Sequence, residues 1–152
     1  MLAAAAVATC LPLAGPAFAA DDMPPLPKTK QESFAMASKF ATCAAALKWM
    51  AEIATLAEKP DGAEHYGNLE RGWNLAGRFF MADGVDESRA GASGQTFEDI
   101  EAAELVRFRA IWEADNLKAP SQIAGEFNAT CGPLARLQEG VIQAMRTAPR
   151  VQ

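Results

Sequence analysis

The side chains with the widest chemical scope in this sequence are one histidine, three cysteines and a scatter of carboxylates, so their spacing decides what they could do. His65 stands beside Glu64 and Tyr66. A histidine acting as general base or metal ligand needs a second group at a fixed spacing, and none accompanies it. His65 is therefore read as an ordinary surface or half-buried residue. Di-iron bundles need two Glu-x-x-His pairs, a pattern that Glu58 and Glu64 do not make with His65. Covalent haem attachment needs Cys-x-x-Cys-His, which is absent. The acidic string Asp83, Asp86, Glu87 is broken by Gly84, Val85 and Ser88 and does not follow the ligand order of a calcium loop. The glycines that follow lack the Gly-Lys-Ser/Thr ending of a phosphate cradle, and no Gly-x-Ser-x-Gly motif presents a nucleophile. The remaining acids, for example Glu70 or Glu104, could do carboxylate chemistry only if folding placed two of them in one cleft. No catalytic residue, metal or cofactor is expected.

Charge excludes a further class. The chain of 152 residues carries 14 Lys+Arg against 19 Asp+Glu, a net charge of -5, with no basic cluster denser than Lys28 and Lys30. A phosphate backbone calls for the opposite balance, so no nucleic-acid partner is expected. With 50% hydrophobic and 22% charged residues, the composition suits one small domain.

Residues 1–20 read as a cleaved export signal of bacterial style. Leu2 to Leu13 are apolar and Ala-rich, and Ala17-Phe18-Ala19 has the small-x-small pattern that signal peptidases cut, although no Lys or Arg follows Met1. Pro12, Gly15 and Pro16 interrupt the run, so it does not serve as a spanning helix, and no transmembrane span is expected in the mature chain. Residues 21–30 hold Pro24, Pro25 and Pro27 among charges and read as a flexible tether. Export changes the meaning of the cysteines. Once Cys10 is removed, Cys43 and Cys131 form an even pair in an oxidising compartment, the setting of a structural disulfide. Their separation of 88 residues makes such a bridge worth about 4 kcal/mol in the chain-entropy account.

Residues 31–148 are expected to form a single all-α domain, a small antiparallel bundle of about four helices. Met36, Phe40, Cys43, Leu47, Met50 and Ala54 mark the first stripe at spacings of three and four, ending before Pro60-Asp61-Gly62. Tyr66, Leu69, Trp73, Ala76 and Phe80 mark the second, closed at Asp83-Gly84 by a left-handed glycine. Residues 84–95 are expected to be a mobile loop, with Thr96 and Asp99 capping a third helix that carries Ile100, Ala103, Leu105, Phe108, Ile111 and Trp112. Ile123, Phe127, Cys131, Leu134, Val141 and Met145 keep one phase across Gly132-Pro133, which predicts a last helix over residues 121–146 kinked at Pro133. The alternative is two helices, with Pro133 opening the second. Either way the Cys43–Cys131 bridge would join the first helix to the last.

Aromatic weight supplies the remaining signal. Trp49, Trp73, Trp112, Tyr66, Phe79 and Phe80 are many rings for a small bundle, and neighbouring Phe79 and Phe80 cannot share one helix face. Trp49 and Phe79, flanked by Arg71 and Arg78, are the candidate binding surface. The expected function is that of a periplasmic or secreted, non-catalytic helical accessory protein that binds another envelope protein. The alternative is a carrier holding an apolar small molecule between alanine-rich helices in the bundle core.

Overall fold

A computed structural model describes residues 24–148. The expected signal, its cleavage site at Ala17-Phe18-Ala19 and the first residues of the tether lie outside them. Helix α1 spans Lys30–Leu56 and opens with a reciprocal cap: Thr29 Oγ1 accepts from the Glu32 amide at 3.1 Å, while Glu32 Oε2 accepts from the Thr29 amide at 3.2 Å. Two orphan amides are satisfied this way, so the helix begins inside the stretch expected to be tether. It stops where Glu58 takes a left-handed φ of 54°. The Lys59 amide then returns to the Ala54 carbonyl at 2.9 Å. Pro60 starts α2 (Pro60–Gly84) instead of lengthening a turn, because a proline in the first helical turn forfeits no hydrogen bond.

A short 3₁₀ helix, Glu87–Ala92, leads into α3 (Ser93–Ala114). The segment expected to be a mobile loop is thus mostly helical, and Thr96 is no cap: its hydroxyl donates to the Ala92 carbonyl within the first turns of α3. Gly84 is corrected too. No described glycine has positive φ, and Gly84 is helical; a Cβ there would come within 2.8 Å of Phe34 Cα on α1. Glycine is needed for closeness here, not for handedness.

The final run comprises α4 (Ala119–Cys131), a 3₁₀ turn at Gly132–Leu134, and α5 (Ala135–Thr147). The expected break at Gly132-Pro133 is therefore a single tightened turn that separates two helices in phase. Pairings between helices fix their directions. Ser33 meets Asp83 and Gly62 lies beside Ala54, so α1 and α2 are antiparallel. Arg78 meets Glu98 and Asn74 meets Glu101, which turns α3 back against α2. Arg107 meets Glu126, so α4 runs against α3. The result is an up-down-up-down bundle in which α4 packs on α1 and α3, while α5 packs on α2.

Alanine explains why α1 can be central. Ala37, Ala41, Ala44, Ala45 and Ala46 are all buried, and their small side chains let three neighbours approach one helix. One core cluster gathers Phe40, Trp73 and Phe80, with ring centroids 5.2 and 5.5 Å from Phe40. The other gathers Trp49, Leu105, Phe108 and Ile123 between α1, α3 and α4. Cys43 and Cys131 are bonded at a Cα–Cα distance of 5.8 Å, joining α1 to the end of α4 as expected. No described helix is long and apolar enough to cross a membrane.

Candidate functional site

Helix α2 is apolar on two faces, and only one is used by the core. Trp73, Ala76, Gly77 and Phe80 point inward. Leu75 and Phe79, four residues apart on the other side, remain 44% and 50% exposed. Helix α5 is too short to cover them: it ends at Thr147, where Met145 is still 40% exposed. The proline segment forms the opposite wall. Leu26 and Pro27, within the expected tether, line the same groove of about 720 Å³ as Leu75, Phe79 and Met145. Its polar lining is already engaged. The Ser33 hydroxyl donates to Asp83 Oδ2, and Arg78 donates from Nε to Asn74 Oδ1 at 2.7 Å and pairs with Glu98.

A second groove of about 380 Å³ continues along the α2–α5 seam, sharing Leu75 and adding Leu69, Ile142, Arg71 and Arg146. Gly72 forms part of its floor, since a Cβ there would press within 3.3 Å of Ile142 Cδ1 and still closer to the Gln138 amide. Phe79 and Arg78 of the expected surface therefore sit in one groove and Arg71 in its extension. Trp49 does not join them. It is 4% exposed, stacked edge-on at 5.7 Å from Trp112 in the second core cluster. Its position on the face that α1 turns to α3 and α4 accounts for the difference, as large rings fill the space beside the buried alanines. Leu75 was not singled out from the sequence, although it lies off the Trp73-Ala76-Phe80 stripe and shares a face with Phe79; Met145 was placed on the last apolar stripe, but lies at the groove, 40% exposed, because α5 ends beside it.

Acids do share a cleft elsewhere: Glu70 lies there with Glu101, and Glu104 does not. Glu101 takes a core-facing position on α3 and is 4% exposed, with Oε1 accepting from Lys48 Nζ at 3.1 Å and Oε2 from Asn74 Nδ2 at 2.9 Å. Glu70 reaches the same Asn74 amide at 3.3 Å from the other side. Burial, and next the charge of Glu101, push the Glu70 carboxyl above its ordinary range, while Lys48, Asn74 and Arg71 pull it back. Glu104 stands apart, paired with Arg107 at 2.9 Å. Every buried polar side-chain atom among the described residues has a partner, so this cleft of about 440 Å³ reads as a satisfied network joining α1, α2 and α3. His65 is exposed and meets the Tyr66 ring edge-on at 5.5 Å. Among the described residues no group of three His, Cys, Asp or Glu is placed to hold a metal.

No protein-family model, curated protein or solved structure matches the chain.

Proposed function

We propose that this chain is an exported, non-catalytic helical accessory protein, periplasmic or secreted, that docks another envelope protein in the groove lined by Leu75, Phe79 and Met145. One observation carries the reading: three large apolar side chains that folding could have buried stand open together beside a fourth, Leu26. Contiguous exposed apolar surface of this kind is costly to keep unless something covers it. The signal-like residues 1–20 and the Cys43–Cys131 bridge support export, because such bridges persist in oxidising compartments. The core-carrier reading draws less support, since Ala37, Ala41 and Ala44 bring helices together around Phe40 and Leu47 and so do not hollow the core.

The test places a photoreactive residue at position 79 in the protein produced in its own cell envelope, with position 56 as the exposed control at the far end of α1. The expected result is one cross-linked polypeptide from position 79, lost on adding Leu75→Glu, and none from position 56. Equal products from both positions, or none, would overturn the reading. The mass of the processed chain reports export in the same sample: it should correspond to a start near Ala20 or Asp21.

A further inference from the structure

The two grooves share Leu75, so the α2–α5 seam is one continuous strip whose charge is not that of the whole chain. Across the rest of the bundle, Lys48, Arg78, Arg107 and Arg109 each hold a carboxylate on another helix. Arg71 and Arg146, which flank the strip, form no ion pair with another helix among the described residues; Arg71 donates to the Asn68 amide oxygen and its charge acts on Glu70, both on its own helix. A chain of net charge -5 thus presents two guanidinium groups without a cross-helix ion pair beside the exposed side chains of Leu75, Phe79 and Met145.

We infer that the occupant of this seam is an amphipathic α-helix of a partner protein, with aliphatic side chains seated against Leu75, Phe79 and Met145 and carboxylates facing Arg71 and Arg146. This rests on the docking reading above and specifies the chemistry of the partner. Helical geometry follows from the walls. The strip follows α2, walled by α5 and, at its wider end, by Leu26 and Pro27, and no strand among the described residues offers an edge to which an extended peptide could add. From Leu69 to Ala82 the strip runs about 20 Å along α2 at the helical rise, the length of roughly four turns of a partner helix. Ridges at steps of three and four on that helix would fit the groove between α2 and α5. Acidic flanks follow from complementarity, since guanidinium groups take carboxylates in bidentate pairs. An anionic lipid surface is the disfavoured alternative, because the acidic chain as a whole is repelled by it.

The test titrates the full disulfide-bonded chain with three synthetic helical peptides of about 16 residues. The first has leucines along one face with glutamates beside them, the second replaces each glutamate with lysine, and the third shuffles the first so that its leucines surround the helix. The expected result is saturable binding of the first, with amide shift changes confined to residues 26–28, 69–82 and 138–146, and binding of the lysine peptide at least about tenfold weaker. In the Arg71→Glu/Arg146→Glu variant the preference should invert. Equal binding of the glutamate and lysine peptides, equal binding of the shuffled peptide, shifts elsewhere, or binding to anionic vesicles in preference to all three peptides would overturn the inference. If the variant fails to fold, the comparison of peptides on the native chain decides. Success of the position-79 cross-link alongside failure here would leave the docking surface standing and remove only the acidic helix. Failure of the cross-link removes the docking reading itself.

Discussion

Gly77 of α2 lies directly beneath the ring of Phe97 at the start of α3. A Cβ on Gly77 would come within 2.6 Å of Phe97 Cζ and 2.8 Å of Phe40 Cβ, both in the first core cluster. That contact is what lets α3 turn back closely on α2 and what aligns Arg78 with Glu98 and Asn74 with Glu101.

Gly77→Ala should therefore destabilise the bundle even though alanine favours helix by about 1 kcal/mol over glycine. The overpacking has no flexible side-chain end to absorb it, since it meets a buried ring and a Cβ, and costs of about 1–3 kcal/mol are usual for such insertions. Thermal melts would check it: a net loss of stability is expected, and a rise in Tm would show that the helices separate freely here.

Periodicity made the helices legible, because the stripes through Phe40, Trp73 and Ile123 are the inward faces that the bundle buries. The Cys43–Cys131 pairing followed from setting Cys10 aside with the expected export signal, and both cysteines lie on apolar stripes. What escaped was set by partners distant in sequence. Gly84 looked like a left-handed stop, but its type answers to the α1 backbone at Phe34. Glu101 occupies a position between Phe97 and Leu105 that periodicity assigns to an apolar residue, and it is tolerated because Lys48 and Asn74 come from two other helices. Trp49 and Phe79 were indistinguishable as exposed rings until neighbouring helices covered one and left the other. The cap formed by Thr29 and Glu32 was readable as Thr-x-x-Glu; the prolines just before it drew the helix start too late.

Glu58 occupies the left-handed region at φ 54°, where a side chain costs roughly 1 kcal/mol and glycine costs little. It is exposed in the three-residue turn between α1 and α2. Glu58→Gly is expected to raise stability by up to about 1 kcal/mol, partly offset by the greater freedom of glycine in the unfolded chain. Urea unfolding at unchanged m-value would measure it, and a lower midpoint would count against strain at this residue.

The bridge between Cys43 and Cys131 closes 88 residues and is buried at both ends. Removing it by Cys43→Ala/Cys131→Ala should cost about 4 kcal/mol through the regained freedom of the unfolded chain, plus the small void left by two sulfurs. For a domain of this size that corresponds to a fall in Tm on the order of 10–15 °C. The fold should persist below the new midpoint, because Phe40, Trp73 and Phe80 do not depend on the bridge for their contacts. A double variant melting within a degree or two of the native chain would show that the disulfide contributes little to stability.

Glu70 supplies the pH dependence. Burial beside the Glu101 carboxylate holds its pKa above the ordinary carboxylate value, so the folded chain binds this proton more tightly than the unfolded chain does. Its contribution is therefore fully present below the unfolded pKa and is lost as pH rises through the higher folded value. Above the folded pKa the ionised Glu70 opposes folding, and Glu70→Gln should be the more stable protein there. Partial exposure screens the effect to below about 1 kcal/mol. As pH falls through the carboxylate range, the native side chain becomes neutral as well, and the difference in Tm between the two proteins should close. Melts from pH 3 to pH 8 would show this convergence, whereas a difference independent of pH would mean that Lys48 and Asn74 fully compensate the charge of Glu70 in the fold.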